Sequence, residues 1–214
     1  MKTKPSSQVL PNWLPISLQG LTFWTGYRKV IYHEYHLSEG AIVAELCALL
    51  YAKISSTELV VLPEVMFKNL LKVDSENSAN NVDLTRADLV VADRFISKEV
   101  KTNRDDNIAD QTKFVIEVKR NDAGWSNLKN DLLKLYAFIK GTKNSQVRCF
   151  LIVVSESGAP KKFVSNGQSI RGKQKISDDC SGYYKVRRTV KTATSINPDK
   201  WKSAIYACVL EVFL

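Results

Sequence analysis

The sequence predicts one α/β domain in which a mixed β-sheet is flanked by helices, forming a three-layer sandwich. Helical and strand-like hydrophobic patterns follow one another in the order helix, strand, strand, strand, helix, strand. The last of these strands, residues 147–155, is almost continuously apolar, which is typical of a strand buried on both faces. Because a helix separates it from the preceding strand, those two strands should be parallel, whereas the first three can form a meander.

The size and composition agree with one soluble domain. The chain has 214 residues, of which 44% are hydrophobic and 25% are charged. No apolar run approaches the roughly 20 residues that cross a bilayer, and the first residues lack the apolar core of a secretory signal. We therefore expect a cytoplasmic protein with no membrane partner. The four cysteines lie apart from one another and from both histidines, which disfavours zinc and predicts buried thiols at Cys47, Cys149 and Cys208.

The charge is strongly positive and unevenly distributed. The net charge is +9, and the segment from Lys161 onward holds eleven basic residues against four acidic ones, an excess of seven. Such an asymmetry favours a polyanionic partner, although a solvated basic surface would show the same composition.

The first helix follows an aromatic-rich beginning. Residues 1–37 contain two prolines and predict an irregular segment that wraps the core with one or two short elements. The helix is predicted at residues 38–54, with Ser38 as its N-cap and Glu39 in its first turn. Glu45 lies on or beside the apolar stripe of this helix, where a carboxylate either pairs with another group or takes part in chemistry.

Three strands are predicted next, at residues 59–67, 87–92 and 114–119. Pro63 marks the first of them as an edge strand or a bend. Residues 72–81 are polar and predict a loop. The charged stretch 93–113 predicts a long hairpin connection.

The remaining predicted elements are a helix at 126–140, the buried strand at 147–155, an edge strand at 183–194 and a final helix at 199–213. Pro198 suits the start of that last helix. Its apolar face would consist of Trp201, Ile205, Val209 and Val212. The whole chain is then one domain, with a core at 38–155, an N-terminal wrap at 1–37 and a basic C-terminal extension at 156–214.

Charged residues stand where the second and third strands should be covered. Asp88 lies in the second strand, and Glu117 and Lys119 end the third. Because side chains alternate along a strand, Glu117 and Lys119 share one face, while Ile116 and Val118 point to the other. Two carboxylates and an amine at neighbouring strands can hold a divalent metal and a water beside a phosphodiester.

This pattern resembles the PD-(D/E)xK nuclease superfamily, which has the restriction-endonuclease-like fold. The resemblance covers roughly residues 38–155 and consists of Asp88, the Glu117-Val118-Lys119 run and the order of the elements. Ala87 stands where the family name has proline, at a position without a chemical role. The resemblance implies a Mg²⁺-dependent phosphodiesterase, with Mn²⁺ as a substitute, acting on DNA and less often on RNA.

The resemblance also implies roles for single residues. Asp88 and Glu117 would ligate the metal, together with the carbonyl oxygen of Val118. Lys119 would orient the attacking water. The glutamate that this family carries on the preceding helix would be Glu45, with Glu39 as the alternative.

Physical chemistry offers two interpretations of the motif. An exposed Glu117–Lys119 pair would contribute little to stability and would have no function. However, the helix and apolar strand that follow suggest a central strand covered on both faces. Burying an unpaired carboxylate there costs several kcal/mol, which a bound cation offsets. Mg²⁺ prefers oxygen ligands and keeps several waters, so two carboxylates leave room for a phosphate oxygen and a nucleophile.

Further residues have both a functional and an ordinary interpretation. Arg86 either contacts phosphate or only borders its strand, and Glu64 is a possible additional carboxylate. Lys134 either approaches a nucleic-acid backbone or forms an exposed helix pair with Asp131. The basic run with Lys185, Arg187 and Arg188 either follows phosphates or protects an edge strand.

The sequence thus predicts a Mg²⁺-dependent DNA endonuclease of restriction, phage defence or recombination. Two alternatives remain open: a catalytically silent binding module with the same fold, and a subunit that is active only in a larger complex. A homodimer is expected by analogy, because cutting both strands usually needs two active centres.

Overall fold

A computed structural model describes residues 9–32, 35–54, 58–71, 86–94, 104–192 and 204–214. Its helices are α1 (Trp13–Ile31), α2 (Glu39–Ile54), α3 (Phe67–Leu70), α4 (Arg104–Gln111) and α5 (Gly124–Gly141). Its strands are β1 (Leu59–Met66), β2 (Arg86–Asp93), β3 (Thr112–Arg120), β4 (Arg148–Ser155), β5 (Val164–Ser165), β6 (Gln168–Ser169), β7 (Gln174–Lys175), β8 (Tyr183–Lys191) and β9 (Tyr206–Phe213). No helix within these ranges is long and apolar enough to cross a membrane.

Seven strands form one mixed sheet in the order β1-β2-β3-β4-β9-β8-β7, and β5 and β6 form a small hairpin of their own. The pairs β1–β2 and β2–β3 are antiparallel, and β3–β4 is parallel. This confirms the predicted meander and the predicted parallel pair. All eight residues of β4 are buried, as its apolar sequence indicated.

Helices cover both faces of the sheet. Ile116 and Val118 pack in one core cluster with residues of α1 and α2. Val115 and Leu151 pack in a second cluster with residues of α3 and α5. Because neighbouring residues of a strand point to opposite faces, Glu117 faces α5. The predicted mixed sheet flanked by helices is therefore confirmed.

Several local predictions are confirmed by contacts. The hydroxyl of Ser38 accepts a hydrogen bond from the backbone N–H of Ala41 at 3.2 Å, which is the expected N-cap of α2. Pro63 lies in β1, the edge strand of the sheet, and the next residue, Glu64, has a φ of 56°. Cys149 and Cys208 are buried free thiols, whereas Cys47 is partly exposed.

The prediction of an irregular N-terminal segment is wrong, because α1 is a helix of 19 residues. Pro15 falls in its first turn, where backbone N–H groups have no helical partner, so the proline does not interrupt the helix. Leu14, Leu18 and Leu21 follow one another at helical spacing and are fully buried. Residues 1–8 and 33–34 lie outside the described residues.

The long connection before β3 also differs from the prediction. Its second half is the helix α4, and β3 begins at Thr112, two residues earlier than predicted. Ala109 is buried, and the hydroxyl of Thr112 donates a hydrogen bond to the carbonyl of Ile108 at 2.7 Å. The burial of Ala109 and this hydrogen bond hold in place a segment that its charged sequence predicted to be a loop. Residues 95–103 and the predicted loop at 72–81 lie outside the described residues.

The predicted final helix is wrong. Residues 206–213 form β9, an interior strand between β4 and β8, while residues 193–203 are outside the described residues. A short apolar run satisfies the helical and the buried-strand pattern equally, and here burial on both faces selects the strand. β8 lies one strand in from the edge, because the two residues of β7 pair with Tyr183 and Tyr184.

Candidate active site

The site is centred on the pairing of β2 with β3. Leu89 is the partner of Ile116 in this antiparallel ladder, so the next position places Asp88 opposite Glu117. Directly opposed residues of an antiparallel pair share a face of the sheet. The Oδ2 atom of Asp88 accepts a hydrogen bond from the backbone N–H of Val118 at 2.7 Å. The two carboxylates that the sequence singled out therefore meet on one side of the sheet.

The carboxylate of Glu117 is buried, and only one of its two oxygens has a polar partner. Only 2% of the residue is exposed, and its Oε1 atom has no hydrogen-bond partner among the described residues. Its Oε2 atom lies 3.5 Å from Nζ of Lys134. Burial, and then the charge of Asp88, raise the pKa of Glu117 to about 9, even though the charge of Lys134 opposes this rise. Burial also raises the pKa of Asp88, against the Val118 hydrogen bond and the charge of Lys119.

Lys119 is held between the two helical layers at the end of β3. Its Nζ atom lies 2.5 Å from Oε1 of Glu39, the first residue of α2, and 3.6 Å from Oδ2 of Asp131 on α5. Burial lowers the pKa of Lys119, but the hydrogen bond to Glu39 and the charges of Asp131, Glu39 and Asp88 more than offset it. The raised pKa keeps this amine protonated at neutral pH.

The helix α5 adds two charged side chains that sequence reasoning placed in solvent. Asp131 is 4% exposed, and Nζ of Lys134 lies 3.1 Å from its Oδ1 atom. Burial lowers the pKa of Lys134, but the charges of Glu117 and Asp131 raise it by more, so the pKa lies above its ordinary value. The expectation of an exposed pair is wrong, because the apolar stripe of α5 packs on the sheet beside these positions. The signal was present in the sequence, since Asp131 is three residues after Leu128 and four before Leu135, within that stripe.

An open groove of about 310 Å³ lies beside Lys119 and Asp131, and the two strand carboxylates and Lys134 are not among the residues that line it. Its lining residues are Glu39, Lys119, Ala123, Asn127, Asn130 and Asp131. The exposed amides of Asn127 and Asn130 stand on the rim, and no motif pointed to them in the sequence. The available signal was spacing, since Asn127 lies four residues before Asp131 and three before Asn130 on the same helix.

The charge of the cluster is unbalanced. Four carboxyl groups, those of Asp88, Glu117, Asp131 and Glu39, surround the two amines of Lys119 and Lys134. With every group ionised the total is two negative charges, and one divalent cation would bring it to zero. Within the described part of the chain, no three His, Cys, Asp or Glu side chains are arranged to enclose a metal ion by themselves.

Two other predicted residues lie outside this cluster. Glu45 is half-buried on α2, one and a half turns beyond Glu39, and it is Glu39 that contacts Lys119. Arg86 is exposed at the start of β2, where its guanidinium lies 3.6 Å from the carboxylate of the equally exposed Glu64. Of the two helix carboxylates considered, the structure therefore brings the alternative one to the site.

The basic residues of β8 are not brought to the site. β4 and β9 lie between β8 and β3 in the sheet. Arg187 pairs with Glu211 at 3.2 Å, and the amine of Lys185 lies 5.8 Å from the ring centre of Phe213. Arg188 is exposed. Glu211 and Phe213 belong to the face opposite Glu117, since Leu210 and Val212 pack in the α5-side core.

Comparisons with protein-family models, with curated proteins and with solved structures gave no match to this chain. The function is therefore inferred from the geometry and chemistry of the cluster alone.

Proposed function

We propose that this protein is a divalent-metal-dependent phosphodiesterase of the restriction-endonuclease-like type, acting on nucleic acid and on DNA rather than RNA. One observation carries the proposal. The carboxylate of Glu117 is buried with one oxygen unpartnered, on the strand next to Asp88. A buried carboxylate in this state costs several kcal/mol, and no apolar contact recovers that free energy. A cation bound between the two carboxylates would offset the cost.

The donor set suits magnesium or manganese. Mg²⁺ binds oxygen, is held through one or two carboxylates and keeps several of its waters. Asp88 and Glu117 would supply the carboxylate oxygens, and the carbonyl oxygen of Val118 is the third candidate ligand. Mn²⁺ accepts the same oxygen ligands.

A bound divalent ion would supply Lewis-acid chemistry, lowering the pKa of a coordinated water and neutralising phosphate charge. The chain itself supplies position and charge. The N–H of Val118 holds the carboxylate of Asp88 in one orientation, so little further side-chain entropy is lost when its second oxygen binds a ligand. Glu117 is fixed by burial. Both carboxylates are therefore oriented before any ligand arrives.

Lys119 acts as a cation in this proposal. Glu39 and Asp131 hold its amine in place from two helices. Since these carboxylates keep the amine protonated, Lys119 orients a water or a phosphate oxygen by donating hydrogen bonds. Lys134, whose amine lies 3.5 Å from the carboxylate of Glu117, offsets the charge of that carboxylate.

The partner is inferred from charge and shape. A net charge of +9 favours a polyanion, and the groove beside Lys119 is open rather than closed around a small molecule. The amides of Asn127 and Asn130 on its rim can donate hydrogen bonds to phosphate or sugar oxygens, which position a nucleic acid without reading its sequence.

A second function is favoured by one specific observation. Lys119 and Lys134 already pair with carboxylates of the cluster, so the site is partly compensated without a metal. A nucleic-acid-binding module that lacks catalysis, or a subunit that cleaves only in a complex, would tolerate this pairing.

The test is a cleavage assay on the purified chain. Supercoiled DNA, linear DNA and RNA are incubated with Mg²⁺, Mn²⁺ or EDTA, using the parent, Glu117→Gln, Asp88→Asn and the exposed control Glu58→Gln. Metal-dependent cleavage by the parent and the control, and none by the two site variants, supports the proposal. Metal-independent cleavage, or equal cleavage by Glu117→Gln, would overturn it. Binding of DNA with metal but without cleavage would favour the non-catalytic module.

A further inference from the structure

One side of α1 is apolar and exposed. Ile16 is 51% exposed, Phe23 56%, Tyr27 62% and Val30 44%, although the opposite side of the helix is buried in the core. At 100° per residue these four side chains fall within roughly 60° of arc. We call these four residues the α1 stripe. Its successive spacings of seven, four and three residues are those of a seam at which one helix packs along another.

The exposed area is large for a free surface. Together with the adjoining Ile31, which is 47% exposed, the α1 stripe presents roughly 400–650 Å² of apolar side chain, taking about 150–250 Å² for a fully exposed large side chain. The largest apolar patch of an ordinary monomer is about 300–600 Å² and is often functional. Two such surfaces brought together would bury about 1,000 Å², which is the lower limit expected of a specific protein interface.

The charge of α1 indicates which kind of partner fits. The helix has no charged residue from Trp13 to Tyr27. Of its two basic residues, Arg28 stacks its guanidinium over the rings of Trp24 and Tyr32, and Lys29 donates a hydrogen bond to the carbonyl of Glu156. A surface for nucleic acid or for an anionic membrane would carry available basic residues along this face. An apolar protein surface is the complementary partner.

The two ends of the α1 stripe are placed symmetrically about Phe23, since Ile16 lies seven residues before it and Val30 seven residues after it. In a contact related by a two-fold axis, each residue meets the same set of partners on both copies. We propose that two copies of this chain dimerise through the α1 stripe, with their α1 helices antiparallel and the two-fold axis at Phe23. Ile16 then packs against Val30 of the partner subunit. This inference does not depend on the catalytic proposal.

The first test measures mass in solution. Light scattering after size exclusion, with loading concentrations across the micromolar range, should give twice the 24.1 kDa of one chain for the parent. Phe23→Glu and Tyr27→Glu should halve that mass, because each places a charge in the apolar seam. Leu214→Glu, at a similarly exposed apolar residue outside α1, should leave the dimer intact. Circular dichroism checks that every variant is folded.

The second test determines the orientation. Ile16→Cys and Val30→Cys proteins, mixed and mildly oxidised, should form a covalent heterodimer that neither forms alone, and the parent gives the background from its native cysteines. A parent that stays monomeric would overturn the proposal and would leave the face to another molecule or to a further segment of this chain. A dimer that both glutamate variants leave unchanged would also overturn it. Covalent pairing of Ile16→Cys with itself would exclude the antiparallel arrangement.

Discussion

Nζ of Lys119 lies 2.5 Å from Oε1 of Glu39, so the end of the central strand β3 is tied to the first turn of α2. The same amine lies 3.6 Å from Asp131 on α5, which packs on the other face of the sheet. The candidate site thus draws on all three layers of the fold. Such a site is sensitive to how both helices are packed, because a shift of either helix changes the position of the lysine.

The helix carboxylate gives the first prediction. We expect Glu39→Gln to lower the rate of metal-dependent cleavage by about 10- to 100-fold, since the uncharged amide holds the Lys119 ammonium less firmly. Glu45→Gln should cleave close to the parental rate, because Glu45 lies further along α2. Single-turnover cleavage rates of both variants measure the difference. A greater loss in Glu45→Gln than in Glu39→Gln would contradict the assignment.

Asp131 gives a prediction about stability. Its carboxylate is buried and pairs with two amines that are themselves about one-fifth exposed. We expect Asp131→Asn to lower the free energy of unfolding by about 1–3 kcal/mol, less than for a fully buried pair because water can reach both lysines. Urea denaturation measures the loss. Asp178→Asn, at an exposed loop position, is the matched control, and equal effects in the two variants would refute the buried pairing.

The burial of Asp131 also shows why the sequence alone predicted only part of the candidate site. Asp88 and Glu117 were found because a charged residue in an apolar strand violates the alternation expected of a covered sheet. Asp131 violates the stripe of α5 in the same way, but a partner three residues later, Lys134, offered an exposed helix pair as a simpler explanation. Local pairing rules do not reveal which side of a helix the rest of the fold will cover.

The elements that the sequence misassigned share one physical reason. α1 contains a proline and several aromatic residues, and β9 is an apolar run that fits either a helix or a strand. In both cases tertiary packing decides the structure: α1 lies against α2, and β9 fills the gap between β4 and β8. The Ser38 cap of α2 was predicted correctly because it depends on a contact only three residues away. β4 was predicted correctly because its apolar run is continuous and short, which is typical of a strand covered on both faces.

The buried network around Glu211 tests the placement of β9. Glu211 is 1% exposed and accepts hydrogen bonds from Arg148 at 2.7 and 3.1 Å. Glu211→Ala should lower the free energy of unfolding by about 3–5 kcal/mol, because it leaves the guanidinium of Arg148 buried without its partner. Guanidinium or urea titration measures the change.

The matched control for this network replaces both partners. Arg148→Met combined with Glu211→Leu should cost clearly less than Glu211→Ala alone, because the guanidinium of Arg148 is no longer buried without its partner, while Arg187, which also contacts Glu211, is 15% exposed and loses that contact in both variants. If the single and double variants were equally unstable, the effect would come from packing of β9 rather than from the ion pair.

The pH dependence of stability provides the sharpest test of the state of Glu117. Burial raises its pKa from about 4.5 in the unfolded chain to about 9 in the folded, metal-free protein. A raised pKa means that the folded state binds the proton more tightly, so the stabilisation is complete below about pH 4.5 and is lost as the pH rises toward 9. In EDTA, the free energy of unfolding of the parent should therefore fall by on the order of 3 kcal/mol between about pH 5 and about pH 7.5.

Glu117→Gln lacks this titration and should show a much flatter profile, with Glu58→Gln following the parent. Thermal or urea denaturation at each pH measures the profiles, and a parent no more pH-dependent than Glu117→Gln would mean that the carboxylate is already compensated within the chain.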